Sequence, residues 1–360
     1  MNAGVGAGAL AFLHESRAQR VVFAPGQAAA ACAEEAARLG VRRAMVIAAP
    51  SEAAIADAVA AGVPTAVRHD DVVMHVPVEV AERARRAAAD GAVDAVVSVG
   101  GGSTTGLAKA VALTTGLPIV AVPTTYAGSE ATDVWGLTEG VTKTTGVDAR
   151  VLPRSVVYDA TLLTTLPPEL AVASGLNALA HCIDAMWGPR ADPIDRVLAG
   201  EGIRALAAGL RAIVTAPSGL AGHEQTLYGA HLAAVAFASA GSGLHHKICH
   251  VLGGRFALPH APTHAVVLPH VLALNAPAAP EARRRIAEAL GTPDAVHGLA
   301  DLYRTLAAPR SLRDLGMPED GIAEAVEPIL AAVPPHNPVP VDADRIAALL
   351  RAAWEGSEPR

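Results

Sequence analysis

Two rhythms of apolar and polar positions divide the chain near its middle. Up to about residue 160, short β-branched runs alternate with alanine-rich stretches of helical period. Strands are predicted at Val21–Phe23, Ala44–Ala48, Ala66–Arg68, Ala95–Val99 and Ile119–Val122, and helices near Ala28–Leu39, Glu52–Ala61, Val78–Ala89 and Thr105–Leu113. Continuously apolar strands separated by helices are what a parallel sheet covered on both faces requires. After Val156-Val157-Tyr158-Asp159 the alternation stops, and helical patterns run from Pro167 to the end. Between Glu169 and Trp187, the positions Leu176, Ala180, Ile183 and Trp187 fall on one stripe. The predicted architecture is an α/β domain over residues 1–162 and an all-α domain over 163–360, with a hinge at 160–167 marked by Pro167–Pro168.

Chemistry gathers at the carboxyl ends of two predicted strands. The run Ala95–Val99 leads straight into Gly100-Gly101-Gly102-Ser103-Thr104-Thr105 and then a helix. A strand, a tight glycine turn and a helix N-terminus together form an anion site, because the first helical N–H groups lack partners and glycine lets a phosphate approach the backbone. The spacing is not GxGxxG, so a glycine turn with no ligand is the competing reading. Lys109, one turn into that helix, reads as a solvated charge. The next strand ends in Pro123-Thr124-Thr125-Tyr126-Ala127-Gly128-Ser129-Glu130, placing hydroxyls where open α/β sheets bind ligands. Gly100, Gly101, Gly102, Ser103, Thr104, Thr124, Thr125 and Ser129 are the candidate nucleotide contacts. After the second strand the chain reads Ile47-Ala48-Ala49-Pro50-Ser51, with no carboxylate before Glu52, which leaves NADH against NADPH open.

The helical half carries histidines at one-turn spacings. Asn177 and His181 are four apart; His245, His246, Lys247 and His250 follow Gly243-Leu244; His260 and His264 lie beyond Gly253–Gly254, expected to break the helix and let His260 fold back. Asn177, His181, His246 and His260 have the character of a divalent-metal set, and the same imidazoles suit general acid catalysis. Any single helical histidine is more often a satisfied core residue; the group is not.

At 360 residues the chain exceeds the roughly 250–300 at which single cores stop growing, so two cores are expected. Hydrophobic residues make up 51% but aromatics only 3%, which favours helices packed on small side chains. The net charge of −7, with no Lys/Arg block, argues against nucleic acid or an anionic membrane as partner. Cys32, Cys182 and Cys249 are sparse and unpaired in pattern, as in a cytoplasmic enzyme with reduced thiols, each readable as a small buried hydrophobe. No apolar run reaches the ~18–20 residues of a membrane span, and the first residues lack the positive charge of a secretory signal.

The spacing of Asn177/His181, His246, His250 and His260, with GGGS and PTT…GSE, resembles the iron-containing alcohol dehydrogenases over nearly the whole chain. Within that family, GGGSTTGLAK (100–109), PTTYAGSE (123–130), GLNALAH (175–181), GLHHKICH (243–250), LPHAPTHAVVLPH (258–270) and MHVPVEV (74–80) look like the maleylacetate reductases. The resemblance implies an α/β nucleotide-binding domain plus a helical domain, dehydroquinate-synthase-like in arrangement, with the active site between them. It implies NADH or NADPH as cofactor, a small dianionic substrate, a homodimer, and reduction of maleylacetate to 3-oxoadipate in aromatic-compound degradation. Asn177 stands where the metal enzymes carry Asp, and Gly106 where they tend to carry Asp. The resemblance therefore implies a vestigial metal site at Asn177, His181, His246 and His260, with no metal required. On that reading His246 and His250 are the electrophile and acid, His181 and His260 the supporting wall, and Lys247 with Lys143 or Arg150 the cations facing the substrate; Lys143 and Arg150 read equally well as solvated loop charges. Two rivals remain open: a metal-dependent alcohol or aldehyde oxidoreductase, and a repurposed non-redox member such as a lyase, cyclase or binding scaffold.

Overall fold

A computed structural model describes residues 10–140 and 142–359. Eight strands form in chain order: β1 (Arg20–Phe23), β2 (Ala44–Ile47), β3 (Thr65–His69), β4 (Ala95–Gly100), β5 (Ile119–Pro123), β6 (Val134–Glu139), β7 (Thr142–Val147) and β8 (Ser155–Tyr158). Six of them make one sheet in the order β1-β8-β5-β4-β2-β3, and every pairing in it is parallel. The helices α1 (Ala28–Arg38), α2 (Ala53–Ala60), α3 (Val78–Asp90) and α4 (Gly102–Thr115) cover its faces. Because successive strand residues point to opposite faces, Val46, Val97, Val99 and Val122 pack with Cys32 and Ala36 of α1 and Ala56 and Val59 of α2. Met45, Ile47, Val96 and Ile119 pack on the other face with Val80 and Ala84 of α3 and Leu107 and Val111 of α4.

That order reverses direction between β2 and β4. From β2 the chain moves outward to β3 on one side, then returns to build β4, β5 and β8 on the other. α2 and α4 therefore leave opposite faces, and a crevice opens between the carboxyl ends of β2 and β4. Such a switch point is where open α/β sheets bind ligands.

The helical half comprises α5 (Pro168–Ala185), α6 (Pro193–Thr215), α7 (Leu220–Ala240), α8 (Leu244–Phe256), α9 (His260–Asn275), α10 (Pro280–Leu290), α11 (Ala295–Thr305), α12 (Gly321–Ala332) and α13 (Ala343–Glu355). Its closest approaches rest on missing side chains. A Cβ on Gly202 would lie 2.6 Å from the Cys182 sulfur, one on Gly209 2.4 Å from the Thr226 hydroxyl, and one on Gly229 2.8 Å from Leu206. Small residues thus set how near α5, α6 and α7 come, which accounts for the alanine-rich, aromatic-poor composition. Among the described residues no single helix is long and apolar enough to cross a membrane.

Several expectations change. The stripe on α5 widens to the whole circumference, since every residue from Ala171 to Ala185 is buried. Gly253–Gly254 do not break α8, which continues to Phe256; the turn comes at Ala257, in a left-handed conformation, followed by Leu258–Pro259. The antiparallel hairpin β6–β7 was not signalled by its sequence, because Thr142-Lys143-Thr144-Thr145-Gly146-Val147 has no apolar alternation.

Candidate active site

The first glycine turn begins at Gly100, whose φ of 148° is poorly tolerated by L side chains. Ideal Cβ atoms on Gly100, Gly101 and Gly102 would meet Thr104 Oγ1 at 2.5 Å, Thr125 Cγ2 at 3.0 Å and Ala127 Cβ at 3.2 Å. Gly101 and Gly102 are therefore required by packing of the second polar turn onto the first, and Gly100 by Thr104 of its own turn, as well as by any ligand. Gly101 is the N-cap of α4 and supplies no side-chain cap, while Thr105 N already bonds Gly101 O. The amides of Gly102, Ser103 and Thr104 are the turn's free donors, beside a helix dipole that favours a phosphate. The cradle fits a dinucleotide pyrophosphate.

One segment over this helix, inside the motif at 74–80, carries a role that its sequence did not show. His75 and Val76 adopt left-handed φ values of 65° and 50°, unusual for a β-branched residue. Thr138 restrains both, donating its amide to Val76 O at 3.1 Å and its hydroxyl to His75 O at 2.8 Å. This seats Val76 on α4, where a Cβ on Gly106 would lie 2.9 Å from Val76 Cγ2. The absence of Asp at position 106 thus has a packing cause.

Lys109 is fully buried, not solvated. Its ammonium donates to Thr132 O at 2.8 Å, Thr132 Oγ1 at 3.0 Å and Val134 O at 2.8 Å. Burial pushes it down to about 7 against the pull of Glu130 and Asp133. It fastens the base of the hairpin to α4. Arg150 also leaves the substrate-binding set, since its guanidinium is exposed and bound to Asp148. The side chain of Lys143 lies outside the described residues.

The second turn connects the sheet to the histidines. Tyr126 N donates to Ser174 Oγ of α5 at 3.0 Å, and the Tyr126 hydroxyl lies 2.5 Å from His223 Nδ1. At Gly128 (φ 77°) a Cβ would stand 3.6 Å from His181 Nδ1, so α5 presents that imidazole directly against the turn. From there the rings run without a gap. His181 stacks on His246 with centroids 5.0 Å apart, and Phe237 of α7 covers both at 4.8 and 4.2 Å. His246 lies 4.8 Å from His264 and 6.1 Å from His250, and His260 lies 4.4 Å from His264. His181, His246, His250 and His260 are thus drawn into one cluster, and His245 and His264 extend it. Lys247 is half-buried on the same helix, α8, as His246 and His250.

Sequence reasoning also missed Asp184, one turn beyond His181 on α5. Its buried carboxylate accepts from His246 Nδ1 at 2.7 Å and from the amides of Gly243 and His246 at 3.0 and 3.2 Å. Burial raises its pKa, opposed by the neighbouring histidine and these donors. The imidazoles move the other way. Burial lowers His181 and His270 to about 4 and His245 to about 3, and lowers His246 and His264 well below their ordinary value, with mutual repulsion adding to the effect in the cluster. Unfolded histidines titrate near 6.5. Above that pH neither state is protonated and stability is unaffected. As the pH falls below about 6.5 the unfolded chain takes up protons that the folded one refuses, until the folded values are reached. Each such group costs up to about 1.4 kcal/mol per pH unit in that window. These histidines leave the melting temperature unaffected above about pH 7 and are expected to make it fall steeply from about 6.5 to 5; a flat profile over that window by scanning calorimetry would contradict the buried neutral assignment.

Towards a divalent cation these donors are mixed in charge. Asn177 Oδ1, His181 Nδ1 and His246 Nε2 are buried without hydrogen-bond partners, but all three are neutral. The cluster's carboxylate, Asp184, turns Oδ2 to His246 and two backbone amides and leaves Oδ1 buried beside Gly243 without a hydrogen-bond partner. Among the described residues, the cluster's imidazole nitrogens that come within 4.8 Å of one another belong to His245, His246 and His264, and His245 Nε2 already meets His264 Nδ1 at 2.9 Å. At position 177 a neutral amide oxygen stands in place of an anionic one, which weakens a site for a hard or borderline cation.

Both halves of the chain match known proteins. Residues 18–160 match the family described as iron-containing alcohol dehydrogenase, and residues 171–354 match the C-terminal region of the same family. Maleylacetate reductase 2 of Cupriavidus pinatubonensis is 49% identical over 345 residues, covering 94% of this chain and 96% of its own. Among solved structures, an iron-containing alcohol dehydrogenase from Corynebacterium glutamicum superposes with a TM-score of 0.96 at 58% identity, covering 98% of this chain and 99% of its own. Maleylacetate reductase from Agrobacterium tumefaciens gives 0.92 at 41% identity, covering 98% and 100%. With both halves matched and relatives aligned end to end, the chain belongs to the iron-containing alcohol dehydrogenase family.

Proposed function

We propose that this protein reduces the carbon–carbon double bond of maleylacetate, giving 3-oxoadipate at the expense of NADH or NADPH. The observation that carries the reading is the unbroken line from the α4 anion cradle, through Gly128 and His181, to a pocket of neutral imidazoles that lacks a carboxylate at position 177. The likeness to maleylacetate reductases supports the substrate.

The double bond is conjugated to a ketone, so a hydride added at the carbon β to that ketone leaves an enolate, and a proton must then reach the α carbon. The bound nicotinamide supplies the hydride. The chain must hold the dinucleotide, stabilise the enolate oxygen and deliver the proton. Gly102, Ser103 and Thr104 offer amides to the pyrophosphate, and Thr124, Thr125 and Ser129 offer hydroxyls beside it. Asp184 fixes the His246 ring with its Nδ1 turned away from the pocket and its Nε2 turned in. Lys247 and His250, half-buried on α8, supply positive charge and a proton at the mouth. We assign the enzyme to the cytoplasm, expect a homodimer, and expect neither nucleic acid nor membrane as a partner.

Purified protein is expected to oxidise NADH or NADPH in the presence of maleylacetate, with the rate changed less than about twofold after exhaustive treatment with EDTA. Loss of activity restored by Fe²⁺ or Zn²⁺ would replace this reading with the metal-dependent one. Absence of nucleotide oxidation with maleylacetate, in protein that is folded, would leave the non-redox alternative.

A further inference from the structure

We propose that Glu52 is the carboxylate that receives the adenosine ribose of the dinucleotide, and that it makes the enzyme prefer NADH to NADPH; this rests on the nucleotide-dependent reading above. Glu52 ends the 3-10 turn Pro50–Glu52 that follows β2, so it stands on the β2 side of the switch-point crevice. The α4 anion cradle stands on the β4 side. A pyrophosphate held at Gly102–Thr104 directs its adenosine half across this crevice, towards β2.

The carboxylate already reaches into that space. Thr124, which follows β5, donates its hydroxyl to Glu52 Oε1 at 3.2 Å across 72 residues of sequence. β2 and β5 are not neighbours, since β4 lies between them. Glu52 and Thr124 therefore meet above the end of β4, over the glycine turn itself. Thr124 N is in turn tied to Gly100 O at 3.2 Å, which fixes the hydroxyl that orients the carboxylate. A sugar diol offers two donors to such a group. A 2′-phosphate would bring two negative charges against it, and juxtaposed like charges in an interface cost enough to be a specificity device.

The sequence position concealed this role. Dinucleotide folds commonly carry the acidic residue at the strand end itself, where this chain has Ala48 and Ala49. The 3-10 turn displaces it by one winding, and only the contact with Thr124 shows where it points. The alternative is that Glu52 merely clips β2 to β5. A clip would affect both nucleotides alike.

The test is direct titration of the full chain with NADH and with NADPH, without maleylacetate, followed by calorimetry or fluorescence. The parent is expected to bind NADH about 10–100-fold tighter than NADPH. In Glu52→Gln that ratio is expected to fall by at least about tenfold, mainly by a gain for NADPH. Thr124→Val, which loses the orienting hydroxyl but keeps the charge, is expected to weaken NADH while retaining discrimination. A parent with no preference, or a Glu52→Gln ratio within twofold of the parent's, overturns the assignment while leaving the reductase reading intact. If neither nucleotide binds, the reductase reading itself fails.

Discussion

Replacing His250 with alanine is expected to lower kcat for maleylacetate reduction by about 10²–10⁴-fold, the range typical of removing a general acid. The reason is position. His181, His246 and His264 are buried, their protonation opposed by desolvation and, at His246 and His264, by neighbouring imidazoles. His246 commits Nδ1 to Asp184. His250 lies one helical turn further along α8, half-buried, with its ring 6.1 Å from His246 and 6.5 Å from His264. Of the three histidines on α8, it alone combines a place in the cluster with access to water, which reprotonation in every turnover demands. The nucleotide cradle lies across Gly128 and His181, so the dissociation constant for NADH is expected to change less than about threefold. Steady-state kinetics and a binding titration on the same preparation check both. Full turnover in His250→Ala would remove this ring from the chemistry and pass the acid role to Lys247.

Much of this site was legible before any fold was known, because its parts are local. A strand, a glycine turn and a helix are contiguous, and Asn177/His181 and His246/His250 are single helical turns. What could not be read is what joins them. Lys109 looked solvated because one turn of helix says nothing about which face the β6–β7 hairpin covers. Gly253–Gly254 looked like a break because glycine lowers helix propensity by only about 1 kcal/mol relative to alanine, a cost that tertiary packing overrides. Asp184 carried no signal, since its partners lie about sixty residues away on α8. Glu52 gained meaning only when the crossover order placed β2 and β5 on either side of β4. In each case the missing information was long-range packing, which a local pattern does not encode.

That gap defines the second large effect, at Asp184. Asp184→Asn keeps the shape of the side chain but replaces one acceptor oxygen with a donor. Three donors converge on Asp184 Oδ2: His246 Nδ1, His246 N and Gly243 N. Space is tight, since a Cβ on Gly243 would lie 2.5 Å from Asp184 Oδ1. If the amide oxygen takes the place of Oδ2 it keeps all three donors, and the NH₂ stands at the Oδ1 position beside Gly243, so His246 keeps its Nδ1 proton and loses the negative charge behind the ring. If the amide flips, two backbone N–H groups lose their acceptor, at roughly 1–3 kcal/mol for each buried donor left unpaired. The first outcome is favoured by that cost, and it removes the negative charge behind the ring while the Nδ1 proton stays in place. Carboxylates that orient an imidazole in this way also raise its basicity, so kcat is expected to fall by about 10–100-fold. A purely structural loss would depress the melting temperature and nucleotide affinity together. Here NADH affinity is expected to persist and the imidazole ¹⁵N shifts to keep the Nδ1–H pattern. A variant with the parent kcat would show that Asp184 anchors α5 to α8 and takes no part in the action of His246.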